Sequence, residues 1–182
     1  MNMDKFTFRD KPKGTNIAWV CERWYSKGID LALQLAGMLP DGYTIHALGT
    51  WNDIYPWDMK YYDRVIKELG DKFTITEQVE NVNAWLEDKD YILSTSKKET
   101  FGYSIAEGMA KGLKPVIHNF YGCEAVWDKY TWNYLPKAVK MITEDDFKPE
   151  QYRQFLYDKG YNLGAMMNKF NNIIKEGGKH GQ

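Results

Sequence analysis

Short runs of β-branched and aromatic residues alternate with longer amphipathic stretches along most of this 182-residue chain. This alternation is typical of parallel α/β units, because a crossover helix must follow each strand before the next parallel strand can pair. Sandwiches and helix bundles show other patterns. The length corresponds to about one domain. The sequence therefore predicts an α/β fold with one Rossmann-like, doubly wound parallel sheet.

Five strands are predicted in this sheet, at 17–20, 43–48, 72–76, 91–95 and 115–118. Helical patterns connect them, at 27–39, 57–69, 79–87 and 104–111. Glycine and proline fall between these segments, where turns are expected. The predicted order of elements thus repeats strand and helix four times before the fifth strand.

The pattern changes after the fifth predicted strand. It predicts one short strand and then two terminal helices, at 138–142, 149–158 and 163–175. We expect the folded domain to span 15–176, with a linker-like extension at 1–14 and a disordered tail at 177–182. The helical end is thus an extension of the domain.

Charge and composition disfavour several classes of protein. The 24 basic and 25 acidic residues leave a formal charge of −1, and no basic run provides a footprint for nucleic acid. The apolar runs are far shorter than the ~20 residues that span a bilayer, and the charged N-terminus lacks the apolar stretch of a secretory signal. Two cysteines are too few for a disulfide scaffold. We therefore expect a cytoplasmic protein with no transmembrane segment and no nucleic-acid partner.

The loop after the fourth predicted strand carries the strongest functional pattern. Ligands of open parallel sheets bind beyond the carboxyl ends of the strands, where helix N-termini also favour anions. Glu99 lies in this loop and Glu107 in the next predicted helix, with seven residues between them. Gly102 permits a close backbone approach to a ligand. A sugar diphosphate would find both an anion site and carboxylate acceptors here.

This pattern resembles the Glu-x7-Glu motif of the retaining glycosyltransferases of the GT-B fold, in particular the glycosyltransferase 4 group. Its surroundings are also similar to the family. Lys27 to Asp30 resembles a Lys-Gly-Val-Asp segment, with Arg23 upstream. The resemblance runs from about 4 to 174, and further matches are Asp4 to Phe6, Leu48 with Gly49, Phe101 with Gly102, Met109 to Gly112, Pro115 with Val116, and Gly122 to Glu124.

The resemblance implies that this chain is the C-terminal, donor-binding half of a two-domain enzyme of the hexosyltransferase type. Such an enzyme moves a sugar from a nucleoside diphosphate to a glycan, lipid-linked or small-molecule acceptor and keeps the anomeric configuration. It requires no metal and no cofactor beyond the donor. The N-terminal, acceptor-binding half would be missing here, so we expect donor binding with little transfer. A lipid acceptor would allow peripheral membrane association.

The resemblance also implies a role for each matching residue. Lys27 and Arg23 would bind the diphosphate and neutralise the charge that develops on it. Glu99 would bind hydroxyls of the donor sugar, and Glu107 those of the ribose. The backbone from Phe101 through Gly102 to Tyr103 would contact sugar and phosphate oxygens, and the base would lie near Val79, in the stretch that begins at Glu77.

Simpler explanations exist for the same residues. Ser104 and Glu107 fit a capping box, in which the glutamate side chain returns to the serine amide. Glu99, Lys27 and Arg23 are each compatible with a solvated surface charge. However, a lysine in the first turn of a helix opposes the helix dipole, and a bound anion would reverse that penalty.

Two other functions can be compared with this sequence. The chain could be a non-catalytic nucleotide or nucleotide-sugar binding module that acts through a protein partner, and its 15% aromatic content could supply the interface. A dinucleotide-dependent oxidoreductase is disfavoured, because 20–23 lacks the glycine fingerprint expected after the first strand. His46 and His118 have no partner spacing of a metal site and are expected to be structural.

Overall fold

The computed structural model describes residues 1–21, 25–50 and 56–177. One sheet of parallel strands runs in the order β3-β2-β1-β4-β5-β6. The strands are β1 (Asn16–Val20), β2 (Thr44–Leu48), β3 (Phe73–Thr76), β4 (Tyr91–Ser94), β5 (Lys114–His118) and β6 (Thr131–Trp132). The strand order reverses between β1 and β4, so the carboxyl ends of these two strands form the topological switch point where open sheets bind ligands.

Helices cover both faces of the sheet. They are α1 (Ile29–Met38), α2 (Pro56–Leu69), α3 (Val82–Trp85), α4 (Tyr103–Lys111), α5 (Cys123–Trp127), α6 (Leu135–Thr143), α7 (Pro149–Asp158) and α8 (Leu163–Gly177). Strand β1 contributes to both cores: Ile17 and Trp19 pack with α1 and α6, whereas Ala18 packs with α4 and α5. Burial on both faces explains why the central strands are nearly continuous apolar runs.

The predicted α/β fold with a doubly wound parallel sheet and a helical C-terminus is confirmed. All five predicted strands are present, with bounds that differ by one residue or so. The predicted strand at 138–142 is wrong, because these residues lie in α6. Pro136 lies in the first turn of that helix, and the buried Ala138 and Ile142 are four residues apart, as one helical face requires.

Two further elements differ from expectation. The sixth strand, β6, was not predicted, because two residues are too short to show a period of two. Helix α3 is limited to four residues, although 79–87 was predicted to be helical. Asn81 caps it, and its side chain accepts a hydrogen bond from the Ala84 amide at 3.1 Å.

The two ends of the described chain differ in how they pack. Met3 is buried, and the Arg9 amide donates to the Lys111 carbonyl at 3.1 Å, so the N-terminal segment lies against α4. Helix α8 instead exposes an apolar stripe, consisting of Leu163, Met166, Met167, Phe170, Ile173 and Ile174. Within the described ranges, no helix is both long and apolar enough to cross a membrane. Of the predicted tail, 178–182 lies outside those ranges.

Candidate functional site

A cleft of about 660 Å³ opens at the switch point of the sheet. Its walls come from the end of β1, the loop after β4 and the start of α4. Its volume lies within the range of small-molecule sites. The polar groups that line it include Lys27, Ser94, Ser96, Glu99 and Ser104.

Lys27 and Glu99 meet on the wall of this cleft. The Lys27 ammonium donates to Glu99 Oε2 at 2.6 Å, and Glu99 Oε1 accepts from the Thr100 amide at 3.2 Å. The two side chains are 28% and 20% exposed, so the ion pair is partly shielded from water. Two of the residues assigned to the donor are therefore brought together, although 72 positions separate them in sequence.

A buried threonine fixes the turn that carries Lys27. Thr95 Oγ1 donates to the Lys27 carbonyl at 2.7 Å and accepts from Trp19 Nε1 at 3.0 Å. The next residue, Gly28, has φ of +70°, and a Cβ built there would lie 2.1 Å from the Thr95 carbonyl oxygen. Only glycine fits this close approach. The turn before α1 is thus held against the end of β4.

The N-terminus of α4 opens toward the same cleft. Gly102 is the N-cap residue in a left-handed conformation, with φ of +82°, and no side chain caps the helix. Gly102, Tyr103 and Ser104 all line the cleft. The first amides of α4 are therefore available to an anion, and the helix dipole favours negative charge there.

The structure rules out the capping box at Ser104 and Glu107. A capping serine must precede the helix, whereas Ser104 is its second residue. Glu107 is half-buried, and burial raises the pKa of its carboxyl group. It makes no hydrogen bond or ion pair with any residue in the described ranges. No group in this part of the chain therefore uses its acceptor oxygens.

Phe101 packs into an aromatic cluster beneath the loop. Its ring centroid lies 5.2 Å from that of Trp127 and 5.0 Å from that of Tyr161. Its carbonyl accepts from Trp127 Nε1 at 3.1 Å. This carbonyl is thus already engaged within the protein, whereas the next two residues face the cleft.

Of the eight predicted site residues, four line the cleft, and Phe101, Glu107 and Val79 do not, within the described ranges. Arg23 lies outside the described residues. Val79 is half-buried in the loop after β3, at the edge of the sheet, and does not line the cleft among the residues described. The cleft is therefore built from the ends of the two central strands.

His46 and His118 each make hydrogen bonds inside the fold. His46 contacts Thr74 Oγ1 at 2.8 Å and Asn16 Oδ1 at 3.2 Å, and burial lowers its pKa. His118 Nδ1 lies 3.0 Å from the Ser96 carbonyl oxygen. Within the described ranges, no three His, Cys, Asp or Glu side chains are grouped to hold a metal ion.

Sequence reasoning missed Thr95 and Trp19 as parts of the site. Thr95 is fully buried, and Trp19 is 1% exposed. A polar residue that follows an apolar strand was the available signal, since a buried hydroxyl group requires partners. The identity of those partners was not visible in the sequence.

The model of one protein family, "Glycosyl transferases group 1", matches residues 15–144. No curated protein matches the chain at a significant level. Among solved structures, TarM from S. aureus, in complex with fondaparinux, alpha-GlcNAc-glycerol and UDP, is similar with a TM-score of 0.76. Sequence identity is 15%, and the alignment covers 92% of this chain and 37% of TarM.

Two further structures show the same fold. HepE from Anabaena, in complex with UDP and glucose, has a TM-score of 0.78 and 11% identity, with 97% of this chain and 55% of HepE covered. The C-terminal domain of the group 1 protein LpcC from Francisella tularensis has a TM-score of 0.72 and 13% identity. There, 90% of this chain and 99% of that domain are covered. The chain thus spans about a third to a half of the longer proteins and nearly all of one C-terminal domain.

Proposed function

This chain belongs to the group 1 glycosyl transferases, and we propose that it is the donor-binding domain of a retaining enzyme of the glycosyltransferase 4 type. It binds a nucleoside-diphosphate sugar in the cleft at the switch point of its sheet. The observation that carries this proposal is the joint presence of Lys27, Glu99 and the uncapped start of α4 on the walls of one cleft. A cation and free amides suit a diphosphate, and a carboxylate suits sugar hydroxyls.

Each part of the donor is assigned to particular residues in this proposal. Lys27, with Arg23, and the first amides of α4 bind the diphosphate. Glu99 accepts hydrogen bonds from hydroxyls of the sugar. Glu107 accepts from the ribose hydroxyls, and its half-buried carboxyl group, which has no partner among the residues described, supports that role. The base lies toward the loop that holds Val79.

The proposed mechanism is electrostatic. The bond between the anomeric carbon and the diphosphate oxygen breaks, and its electron pair leaves with the diphosphate. Lys27 and the α4 amides stabilise this growing negative charge in a partly shielded cleft. The acceptor oxygen then bonds to the anomeric carbon on the face from which the diphosphate departs, and the proton of the acceptor hydroxyl passes to an oxygen of the departing diphosphate. Glu99 holds the sugar in place for this step.

Transfer requires an acceptor-binding domain in addition to this chain. The alignment covers only 37% of TarM and 55% of HepE, so the two longer proteins contain at least one further region of comparable size. We propose that the acceptor is a sugar or a lipid-linked group and that the transfer reaction takes place in the cytoplasm. These 182 residues alone are expected to bind donor but to transfer little sugar. Rapid turnover by this chain alone would contradict that expectation.

A second candidate is a non-catalytic nucleotide-binding module that acts through a protein partner. The exposed apolar stripe of α8 favours it, because contiguous apolar surface on a folded domain marks a contact with another molecule. Both candidates bind nucleotide, and they differ in turnover. A full-length protein that binds nucleotide sugar but transfers sugar to no acceptor would support the second candidate, whereas normal transfer by a complete enzyme that carries Glu99→Ala would contradict the role of Glu99.

Calorimetric titration with UDP, GDP, ADP and CDP, and with their glucose conjugates, tests the donor site. We expect one base series to bind at millimolar concentration or below, and Lys27→Met and Glu107→Gln to weaken it. Lys67→Met is the matched control, because it removes the same charge from an exposed lysine outside the cleft. Lys67 lies near the end of α2, close to the amino end of β3, whereas the cleft lies at the carboxyl ends of β1 and β4. Failure of every ligand to bind the chain would contradict the proposal.

A further inference from the structure

The Lys27–Glu99 ion pair joins the two residues that the proposed function assigns to different parts of the donor. The ammonium of Lys27 has Glu99 as its one partner among the residues described, at 2.6 Å. A donor diphosphate that binds Lys27 must therefore compete with a carboxylate that already holds it. Neither residue can serve the donor fully while the pair remains intact.

We propose that the Lys27–Glu99 pair exchanges partners when donor binds, so that the cleft selects intact nucleotide sugar over free nucleoside diphosphate. This inference rests on the proposed function. In the exchange, Lys27 moves from the carboxylate to the diphosphate, and Glu99 then accepts hydrogen bonds from hydroxyls of the sugar. The pair would therefore set the preference of the cleft for nucleotide sugar over free diphosphate.

The selectivity follows from what each ligand leaves unpaired. The Glu99 side chain is only 20% exposed, so water compensates poorly for the loss of its lysine partner. An intact nucleotide sugar supplies both a diphosphate for Lys27 and hydroxyl donors for Glu99. A free nucleoside diphosphate supplies the first and leaves Glu99 without a charged or sugar partner. The product of transfer is therefore bound less well than the donor, which limits product inhibition.

The surrounding contacts allow this exchange without a backbone change. Thr95 Oγ1 holds the Lys27 carbonyl, and the Thr100 amide holds Glu99 Oε1. The second carboxylate oxygen, Oε2, is the one that Lys27 contacts. The long, flexible lysine stem can redirect its ammonium by rotation about side-chain bonds. Only the contact between Lys27 and Glu99 is exchanged, and the hydrogen bonds from Thr95 to Lys27 and from Thr100 to Glu99 remain.

The test measures the affinity of the full chain for each of UDP, GDP, ADP and CDP and for the glucose conjugate of each. We expect Glu99→Gln to bind the preferred free diphosphate about three- to tenfold more tightly than the unmodified chain, because Lys27 is released. The preference for the glucose conjugate should shrink accordingly. Lys27→Met should weaken both ligands. The two halves of one ion pair thus have opposite effects on free diphosphate.

A matched control separates the exchange from a change in net charge. Asp30→Asn also removes one negative charge, from a carboxylate that pairs with Lys97 at 3.1 Å instead of with Lys27. We expect it to change the affinities for the free diphosphate and its glucose conjugate by the same factor. A Glu99→Gln effect that is equally uniform would overturn the exchange.

The remaining outcomes distinguish the inference from the proposed function. If the unmodified chain binds a nucleotide sugar, but Glu99→Gln binds free diphosphate equally well or less well, the exchange is wrong and the proposed function stands. If the unmodified chain binds none of the eight ligands, the proposed function is wrong, and the exchange with it. Amide NMR spectra of each variant, compared with the unmodified chain, show whether the fold is retained.

Discussion

Two lysine–glutamate pairs in this protein have similar lengths and different surroundings. Lys111 Nζ lies 2.5 Å from Glu87 Oε2 and also donates to Asn83 Oδ1 at 2.9 Å and to the Thr7 carbonyl at 3.3 Å. Its side chain is fully buried. Lys27 is 28% exposed and has one partner, Glu99, among the residues described.

The difference shows which lysine is available to a ligand. An ammonium group has three donor positions, and Lys111 uses all of them on the protein. It links α4 to α3 and to the N-terminal segment, so its role is structural. Lys27 has donor capacity left and faces a cleft. Distance alone does not separate the two pairs, whereas the number of remaining donors does.

The largest effect should come from moving the turn that holds Lys27. In Gly28→Ala, the new methyl group must avoid the Thr95 carbonyl, and the residue must keep a left-handed conformation. We expect the free energy of unfolding to fall by about 3 kcal/mol. Urea denaturation measures it. A loss below about 1 kcal/mol would mean that the turn tolerates a side chain, and that Thr95 does not fix Lys27 as described.

Removal of the saturated lysine should affect stability and leave binding unchanged. Lys111→Met keeps the apolar stem but leaves the acceptors at Asn83, Glu87 and Thr7 without this donor. We expect a loss of about 2 kcal/mol in the free energy of unfolding, with nucleotide affinity of the folded protein unchanged. The hydrogen bond from Lys111 lowers the pKa of Glu87, so this contribution is present above the ordinary glutamate pKa and is lost as pH falls through the lower, folded-state pKa.

The same substitution at the cleft should lower nucleotide affinity more and stability less than Lys111→Met does. Lys27→Met should lower the free energy of unfolding by about 1 kcal/mol, less than Lys111→Met, because it leaves one acceptor without its lysine donor instead of three. Affinity for nucleoside diphosphate should fall at least about tenfold. Denaturation and calorimetry on the two lysine variants, run side by side, test the contrast. Equal losses of stability in the two variants would contradict the distinction between a structural Lys111 and a ligand-facing Lys27.

The smallest effect is expected at Glu107. Burial raises its pKa, so the folded protein holds a proton that the unfolded chain releases, and stability falls as pH rises through this window. Glu107→Gln should therefore raise the free energy of unfolding at neutral pH, by less than about 1 kcal/mol. It should also weaken nucleotide binding. A variant that is less stable at neutral pH would show that the carboxylate has a stabilising partner.

Much of the sheet could be predicted, since a central strand that is buried on both faces is a local run of apolar residues. The final third was harder. The strand β6 has only two residues, and the run from Ala138 to Ile142 contains too few residues to distinguish a period of two from one of 3.6. Its helical state follows from Pro136 and from packing of one face against the sheet.

Four of the predicted site residues line the candidate cleft, whereas their contacts could not be predicted from the sequence. Lys27, Glu99 and Gly102 stand out in the sequence because they follow the ends of strands. The cap of α4 could not be assigned, since the choice between Gly102 and Ser104 depends on backbone torsions. Val79, predicted to lie near the base, follows β3 at the edge of the sheet and does not line the cleft among the residues described, so its role stays a prediction.

By itself, the sequence determined the fold class and the loops that line the candidate cleft, because periodicity and strand ends are local properties of the chain. Only the tertiary structure decided that Lys27 and Glu99 form a pair and that Lys111 is saturated. Both results join residues that are far apart in sequence, through a strand order and a buried threonine that no local pattern specifies. The number of donors that a lysine retains is a property of packing, and it decides which lysine can bind a ligand.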